Sequence, residues 1–127
     1  LKRIRELTER KRQILKNYKY LSRDIPNIKF NPDYHDIING AWMPTVVFGK
    51  DTGITLEKIQ STFKRDNIDA RVFFWPLSSL EMFETKCQNI NAYSISERAI
   101  NLPSFHDITD AEQSRVIDTI KSLYEKI

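Results

Sequence analysis

The spacing of apolar side chains predicts three longer helices. Over residues 2–21, no glycine or proline interrupts a stripe of apolar side chains at helical intervals, formed by Ile4, Leu7, Ile14, Tyr18 and Leu21. Thr55 stands at the cap position of a second helix, which runs to about Arg65. A third helix begins at Thr109 and Glu112, which have the spacing of a capping box. Each helix carries one apolar face and therefore needs a surface to pack on.

Short apolar runs between these helices predict that surface as a sheet. Residues 45–48 and 70–75 are rich in β-branched and aromatic side chains, and residues 100–103 form a short extended segment. Residues 26–40 contain several asparagines and prolines and are predicted as loop, whereas residues 91–98 are predicted as a short helix. The alternating order predicts an α+β fold, a two-layer α/β sandwich in which helices cover a small, mostly antiparallel sheet.

Length and composition limit the class of protein. A chain of 127 residues suits one domain. No apolar run approaches the roughly 20 residues that a membrane-spanning helix needs, and the N-terminus lacks the apolar segment of a signal peptide. The single cysteine, Cys87, excludes an internal disulfide, so we predict a cytoplasmic protein. Because the helical pattern is already present at Leu1, we expect the chain to be part of a longer protein.

The positive charge is concentrated in the first helix. Residues 1–24 carry nine Lys and Arg against three acidic side chains, whereas the rest of the chain carries eleven against fourteen. A basic helix can bind the phosphates of nucleic acid. More often such a helix is a solvated face or packs on an acidic partner domain. A stand-alone module that binds nucleic acid or a partner protein through this helix therefore remains an alternative.

The sequence contains no complete catalytic constellation. With three glycines it cannot form a glycine-rich phosphate loop. His35 and His106 lie in separate predicted loops, and Cys87 has no histidine in its sequence neighbourhood that would activate it. Acidic side chains near the last helix suit its N-terminus better than a metal site. We therefore predict no catalytic residue, cofactor-binding residue or metal ligand within this chain.

The segment Arg-Val-Phe-Phe-Trp-Pro-Leu-Ser-Ser, residues 71–79, is the most unusual part of the sequence. In a strand, side chains alternate between the two faces, so Phe74 must point away from Phe73 and Trp75. Both faces would then be aromatic. Either the strand is covered on both sides, or one face lines something outside this chain.

Four segments, in order along the chain, resemble the DegT/DnrJ/StrS-type sugar aminotransferases, fold-type I enzymes that depend on pyridoxal phosphate. They are residues 41–44 (AWMP), 67–83 (NIDARVFFWPLSSLEMF), 96–104 (SERAINLPS) and 108–117 (ITDAEQSRVI). The first segment is similar to perosamine-synthetase-like members. The resemblance implies that residues 1–24 are an interdomain linker helix and that residues 25–127 are the C-terminal small domain of such an enzyme.

The resemblance also implies a function for the longer protein. It would transfer an amino group from an amino acid such as glutamate to a keto-sugar nucleotide, with pyridoxal phosphate as cofactor. The Schiff-base lysine and the other cofactor-binding residues would lie in a preceding large domain, and the present chain would be inactive alone. Its partners would be that large domain, the two substrates and a second subunit in a homodimer.

Within this chain the resemblance points to substrate-side residues. These are Arg71, Phe74, Trp75, Ser78, Trp42 and Met43. The planar guanidinium of Arg71 suits carboxylate or phosphate recognition, although a structural ion pair is an equal alternative. Core packing is the alternative for the other five. Ser78 stands where many family members have histidine, so we expect it to shape the site and not to transfer protons.

Overall fold

The computed structural model describes residues 2–84 and 89–125. In it, three helices pack on one face of an antiparallel sheet. The elements are α1 (Ile4–Leu21), β1 (Ile28–Phe30), β2 (Thr45–Phe48), α2 (Leu56–Arg65), β3 (Arg71–Val72), α3 (Ile90–Ser96), β4 (Ala99–Asn101) and α4 (Asp110–Ser122). The strand order is β1-β2-β4-β3, and each neighbouring pair is antiparallel. The predicted α+β fold is confirmed.

Two strands differ from the prediction. Strand β1 lies within the segment that was predicted as loop. The prediction missed it because three residues among asparagines and prolines are too few to show an alternating pattern. Pairing with β2 creates the strand. Strand β3 is limited to two residues. The Asn101 side-chain amide donates to the Val72 carbonyl at 3.2 Å. Pro76, which has no N–H to donate to a neighbouring strand, follows four residues after Val72. The residues between Val72 and Pro76 therefore lie outside the sheet.

The register explains which side chains form the core. Phe30, Val46, Ile100 and Val72 are paired in one row across the four strands and so point to the same face. The helices cover that face, and the largest fully buried side chains include Tyr18, Phe48, Phe63, Ile14, Ile59, Ile100, Ile108, Ile117 and Ile120. The sheet and three helices thus share one hydrophobic core.

Helix α1 belongs to this core through its second half. Ile14 and Tyr18 are fully buried, whereas Ile4 near the start is 51% exposed. The Gln113 side-chain amide of α4 donates to the Ile14 carbonyl at 2.9 Å, and the Tyr18 hydroxyl donates to the Pro103 carbonyl at 2.8 Å. Burial raises the pKa of Tyr18, so this hydroxyl stays a donor. The interdomain role of residues 1–24 stays a prediction.

Both predicted helix caps are confirmed. The Thr55 hydroxyl accepts from the Lys58 N–H at 3.3 Å. The Thr109 hydroxyl accepts from the Glu112 N–H at 3.2 Å, and the Glu112 carboxylate accepts from the Thr109 N–H at 2.8 Å. The Thr109 N–H and the Thr109 hydroxyl both donate to the Glu112 carboxylate, which favours its charged form and holds the pKa of Glu112 below its usual value. The caps determine where α2 and α4 begin and hence which faces they bury.

Gly53 offers a test of the turn that joins β2 to α2. Its φ of 64° lies in the left-handed region, which a Cβ disfavours. We expect Gly53→Ala to lower the free energy of unfolding by about 1 kcal/mol in urea titrations. Gly40→Ala is the matched control: its φ is not left-handed and no atom lies within 4 Å of the added Cβ. Equal losses at both positions would contradict the role of the backbone conformation.

Candidate functional site

A row of polar side chains crosses the sheet on the face opposite the core. Thr45, Asn101 and Arg71 are paired in register, one residue away from the buried row. The Thr45 hydroxyl donates to the Asn101 side-chain oxygen at 2.7 Å. The Thr45 N–H donates to the Asn31 side-chain oxygen at 2.8 Å. Because Thr45 and Asn101 are buried, these hydrogen bonds are shielded from water and hold neighbouring strands in register.

Trp42 and Phe74 form a stacked aromatic pair. Their ring centroids are 6.2 Å apart with an interplanar angle of 19°, and Phe73 meets Phe74 edge-on at 5.6 Å. Trp42 is 68% exposed and Phe74 is 55% exposed. We call the Trp42–Phe74 pair the aromatic platform. It joins two predicted site residues that are 32 positions apart in the sequence, and it presents them to the surface instead of to the core.

Two further predicted site residues flank the platform in sequence. Trp75 is 56% exposed, so core packing within the described residues does not account for it. Met43 is half-buried, and its carbonyl accepts from the Asn31 side-chain amide at 3.1 Å. Asn31 therefore holds the backbone next to the platform.

The Ser78 hydroxyl is held by two residues that the sequence did not single out. It lies 3.1 Å from the Tyr93 hydroxyl and accepts from the Asn89 side-chain amide at 3.0 Å. Tyr93 belongs to α3 and Asn89 precedes it. Nothing local in the sequence links them to Ser78, because only the folded chain brings α3 to the turn at Leu77–Ser79.

Arg71 has a nearby acidic partner. Its guanidinium donates to the Asp69 carboxylate at 3.1 Å, and the two side chains are 75% and 77% exposed. Such an exposed ion pair adds little stability. The contact uses one terminal nitrogen of the guanidinium. It is therefore the structural ion pair that the sequence left open, and it does not occupy the whole planar guanidinium.

Three cations of the basic helix bind backbone carbonyls of neighbouring loops. Arg10 donates to the carbonyl oxygens of His106 and Ile108, and Arg12 donates to that of Asn39. Lys11 donates to the carbonyl and hydroxyl of Ser104, and burial lowers the pKa of its ammonium. These charges therefore serve the packing of loops on α1. Nucleic acid binding by this helix stays an untested alternative.

The sequence also contains two histidines and one cysteine, for which it predicts no catalytic or metal-binding role. The His35 side chain is 97% exposed, and Cys87 lies outside the described residues. Within residues 2–84 and 89–125 there is no group of three or more His, Cys, Asp or Glu side chains that could hold a metal ion. None of the helices in the described part of the chain is both long and apolar enough to cross a membrane.

Comparison with known proteins identifies the class to which this fold and sequence belong. The chain belongs to the DegT/DnrJ/EryC1/StrS aminotransferase family, whose sequence profile matches residues 1–121. EpsN of Bacillus subtilis, described as a pyridoxal phosphate-dependent aminotransferase, is 27% identical over 96% of this chain. GDP-perosamine synthase of Vibrio cholerae is 22% identical over the whole of it. The predicted family resemblance is confirmed, including the perosamine-synthase-like relative.

Solved structures show the same fold. DesI, crystallised with its TDP-sugar product, superposes on 99% of this chain with a TM-score of 0.84 at 20% identity. The aminotransferase TlmJ of Streptoalloteichus hindustanus superposes on 98% of it with a TM-score of 0.82 at 14% identity. The chain covers 32–35% of the two curated relatives and 33% of each of these structures. It therefore corresponds to about a third of such an enzyme.

Proposed function

We propose that this chain is the C-terminal small domain of a pyridoxal phosphate-dependent aminotransferase. The whole enzyme transfers an amino group from an amino acid such as glutamate to a keto-sugar nucleotide. The observation that carries the proposal is the family match over residues 1–121, in a chain that covers only a third of its relatives. The names of GDP-perosamine synthase and of DesI with its TDP-sugar product support a nucleotide-sugar substrate.

Lys11 does not fit the role of the lysine that binds pyridoxal phosphate. A Schiff-base lysine needs a free amine that can react with the cofactor. Burial lowers the pKa of Lys11, but its nitrogen is already engaged by the carbonyl and hydroxyl of Ser104. The family resemblance leads us to place the reactive lysine in a large domain that precedes this chain. The cofactor would act there as an electron sink, and no step of its chemistry is assigned to the present residues.

The contribution of this domain is a wall of the substrate cleft. The rings of Trp42, Phe74 and Trp75 offer exposed apolar surface, and Met43 follows Trp42 in the sequence. Ser78 offers a hydroxyl whose position Tyr93 and Asn89 hold. A hydroxyl with these neighbours suits hydrogen bonding to substrate better than proton transfer.

Arg71 completes the proposed wall as a cation. Its planar fork suits the carboxylate of the amino donor or a phosphate of the nucleotide sugar. Its contact with Asp69 is exposed and weak enough to be exchanged for a substrate anion. The family resemblance also leads us to propose a homodimer of the whole enzyme and a cytoplasmic location.

The location of the reactive lysine tests this proposal. The protein is purified as its own cells make it, treated with borohydride to fix pyridoxal phosphate to the lysine that holds it, and digested for peptide mapping by mass spectrometry. We expect the modified lysine outside residues 1–127. The same preparation should transfer an amino group from glutamate to a keto-sugar nucleotide.

Two results would overturn the proposal. One is a pyridoxyl-modified lysine within residues 1–127. The other is a natural protein that binds no pyridoxal phosphate. As a control, unreduced protein passed through the same digestion should give no modified peptide, since the linkage is hydrolysed unless it is reduced.

A further inference from the structure

Trp42 is exposed although the segment that carries it is firmly held. We call residues 31–43 the support loop. Arg12 of α1 donates from its Nε to the Asn39 carbonyl at 2.9 Å, and the Asn39 side-chain oxygen accepts from the Ala41 N–H at 2.8 Å. The Asn31 side-chain amide donates to the Met43 carbonyl at 3.1 Å and so joins the first and last residues of the loop. The exposure of the indole is therefore a property of an ordered loop.

The backbone immediately before Trp42 is strained. Ala41 has a φ of 48°, although its Cβ disfavours the left-handed region, and the residue is 2% exposed. Such a conformation persists only where surrounding contacts impose it, and it is often found next to functional groups. Here the Asn39 contact and the burial of Ala41 impose it. Their combined effect is to present the Trp42 ring at the surface next to Phe74.

Two backbone polar groups next to Trp42 are already used. The Ala41 N–H is bound by Asn39, and the Met43 carbonyl is bound by Asn31. The platform offers two exposed aromatic rings to a ligand, beside these two bound backbone groups. A sugar needs hydrogen bonds to its hydroxyl groups, whereas a planar nucleobase gains from stacking on an aromatic ring without them.

We propose that the aromatic platform is the surface on which the nucleobase of the substrate stacks, and that Arg12 and Asn39 are positioning residues for Trp42. The inference rests on the proposed function, because it assigns one part of a nucleotide-sugar substrate to one part of this wall. Trp42 provides the larger ring and Phe74 supports it from the side of β3. The phosphates and the sugar are bound by other groups.

Binding measurements on the whole protein, as its cells make it, test the stacking. GDP, TDP and UDP are titrated by calorimetry, with inorganic pyrophosphate as a probe that has no base. Trp42→Ala should weaken the tightest-binding nucleoside diphosphate about tenfold or more, as expected for a lost stacking partner. Trp42→Phe keeps a ring and should stay within about threefold. Pyrophosphate affinity should be unchanged in both variants.

Tyr20→Ala is the matched control. Tyr20 is also an exposed aromatic residue, at 62%, but it lies on α1 with its ring beneath the Arg23 guanidinium. Its removal should leave the affinity for nucleoside diphosphates unchanged. An equal loss in Tyr20→Ala and Trp42→Ala would overturn the proposal, because the effect would then not belong to the platform.

The positioning role of Asn39 has its own pair of variants. Asn39→Ala removes the acceptor for the Ala41 N–H, and we expect a nucleoside diphosphate affinity lower by about fivefold, with pyrophosphate binding retained. Asn39→Asp keeps that acceptor and should restore the affinity. If Asn39 had only a structural role, Asn39→Ala would weaken the binding of the nucleoside diphosphate and of pyrophosphate together. Asn39→Asp would then not restore the nucleoside diphosphate affinity by itself.

The remaining outcomes separate this inference from the proposed function. If the enzyme transfers amino groups to a nucleotide sugar but Trp42→Ala binds nucleoside diphosphates as the wild type does, the platform assignment is wrong and the function stands. A lower unfolding temperature with unchanged affinity would identify the platform as a contact with another domain. Nucleoside diphosphate binding without transaminase activity would contradict the function alone. No binding of any nucleoside diphosphate to the wild type would overturn the inference.

Discussion

Asn101→Asp should lower the free energy of unfolding by about 3–5 kcal/mol at pH 7, because it places an uncompensated charge in a buried site. Asn101 is 3% exposed. Its side-chain oxygen accepts from the Thr45 hydroxyl, and its amide donates to the Val72 carbonyl. A carboxylate could keep the first contact, but it would oppose the Val72 carbonyl oxygen. The change therefore acts on the junction of β2, β4 and β3.

The pH dependence of this variant gives a second readout. Burial raises the pKa of the introduced carboxyl above its unfolded value of about 3.9. A raised folded pKa means that the neutral form is favoured in the folded state, so the penalty is small below the unfolded pKa. It grows as the pH rises toward and through the folded pKa. Urea titrations of variant and wild type at pH 4 and pH 7 should show the smaller difference at pH 4.

Asn101→Leu is the matched control for charge. It removes both hydrogen bonds without adding a carboxylate, and we expect a loss of about 1–3 kcal/mol with no pH dependence of its own. If Asn101→Asp proved as stable as the wild type at pH 7, the side chain would not be buried in the network described. A penalty of equal size at both pH values would argue against the charge as its cause.

Phe48→Ala should destabilise the domain by about 3–5 kcal/mol, as other large-to-small changes in protein cores do. Phe48 is fully buried on β2, and its ring lies 6.5 Å from that of Tyr124. Alanine would leave a cavity under α4 while the backbone contacts of the strand remain. Thermal and urea unfolding of the two proteins measure the difference.

Phe105→Ala serves as the control for this deletion. Phe105 is 53% exposed, so the same ring is removed without opening a buried cavity. We expect its free energy of unfolding to stay within about 0.5 kcal/mol of the wild type. Similar losses for the two phenylalanines would show that burial is not what makes Phe48 important.

Regular periodic segments of the fold were predictable because their signals are local. Helices α2 and α4 begin at the threonines whose side chains cap them, and strand β2 coincides with the run of β-branched residues. The fold class followed from the order of these elements. The first half of α1 shows the limit of periodicity: Ile4 and Ile14 belong to the same apolar stripe, yet only Ile14 is buried.

The sequence predicts a set of candidate site residues, which stays a prediction, but it does not predict how they are arranged. The run of three aromatic residues around Phe74 has more aromatic side chains than a strand with one buried face needs. The family resemblance implies that this segment lies on the substrate side of the domain. Its pairing with Trp42 depends on two loops meeting in space. The support of Ser78 by Tyr93 and Asn89 likewise depends on the position of α3, which no local pattern encodes.

The sequence by itself determined the helices, the central strand, the caps and the aminotransferase family, since each depends on spacing or on a motif within one segment. Only the tertiary structure decided that residues 28–30 form a strand, that β3 ends after Val72, and that Trp42 faces outward. The physical reason is that these features depend on hydrogen-bond partners far away in the chain. The hydrogen bonds of Thr45 with Asn31 and with Asn101 join such distant partners, and the Trp42–Phe74 contact of the aromatic platform does so as well.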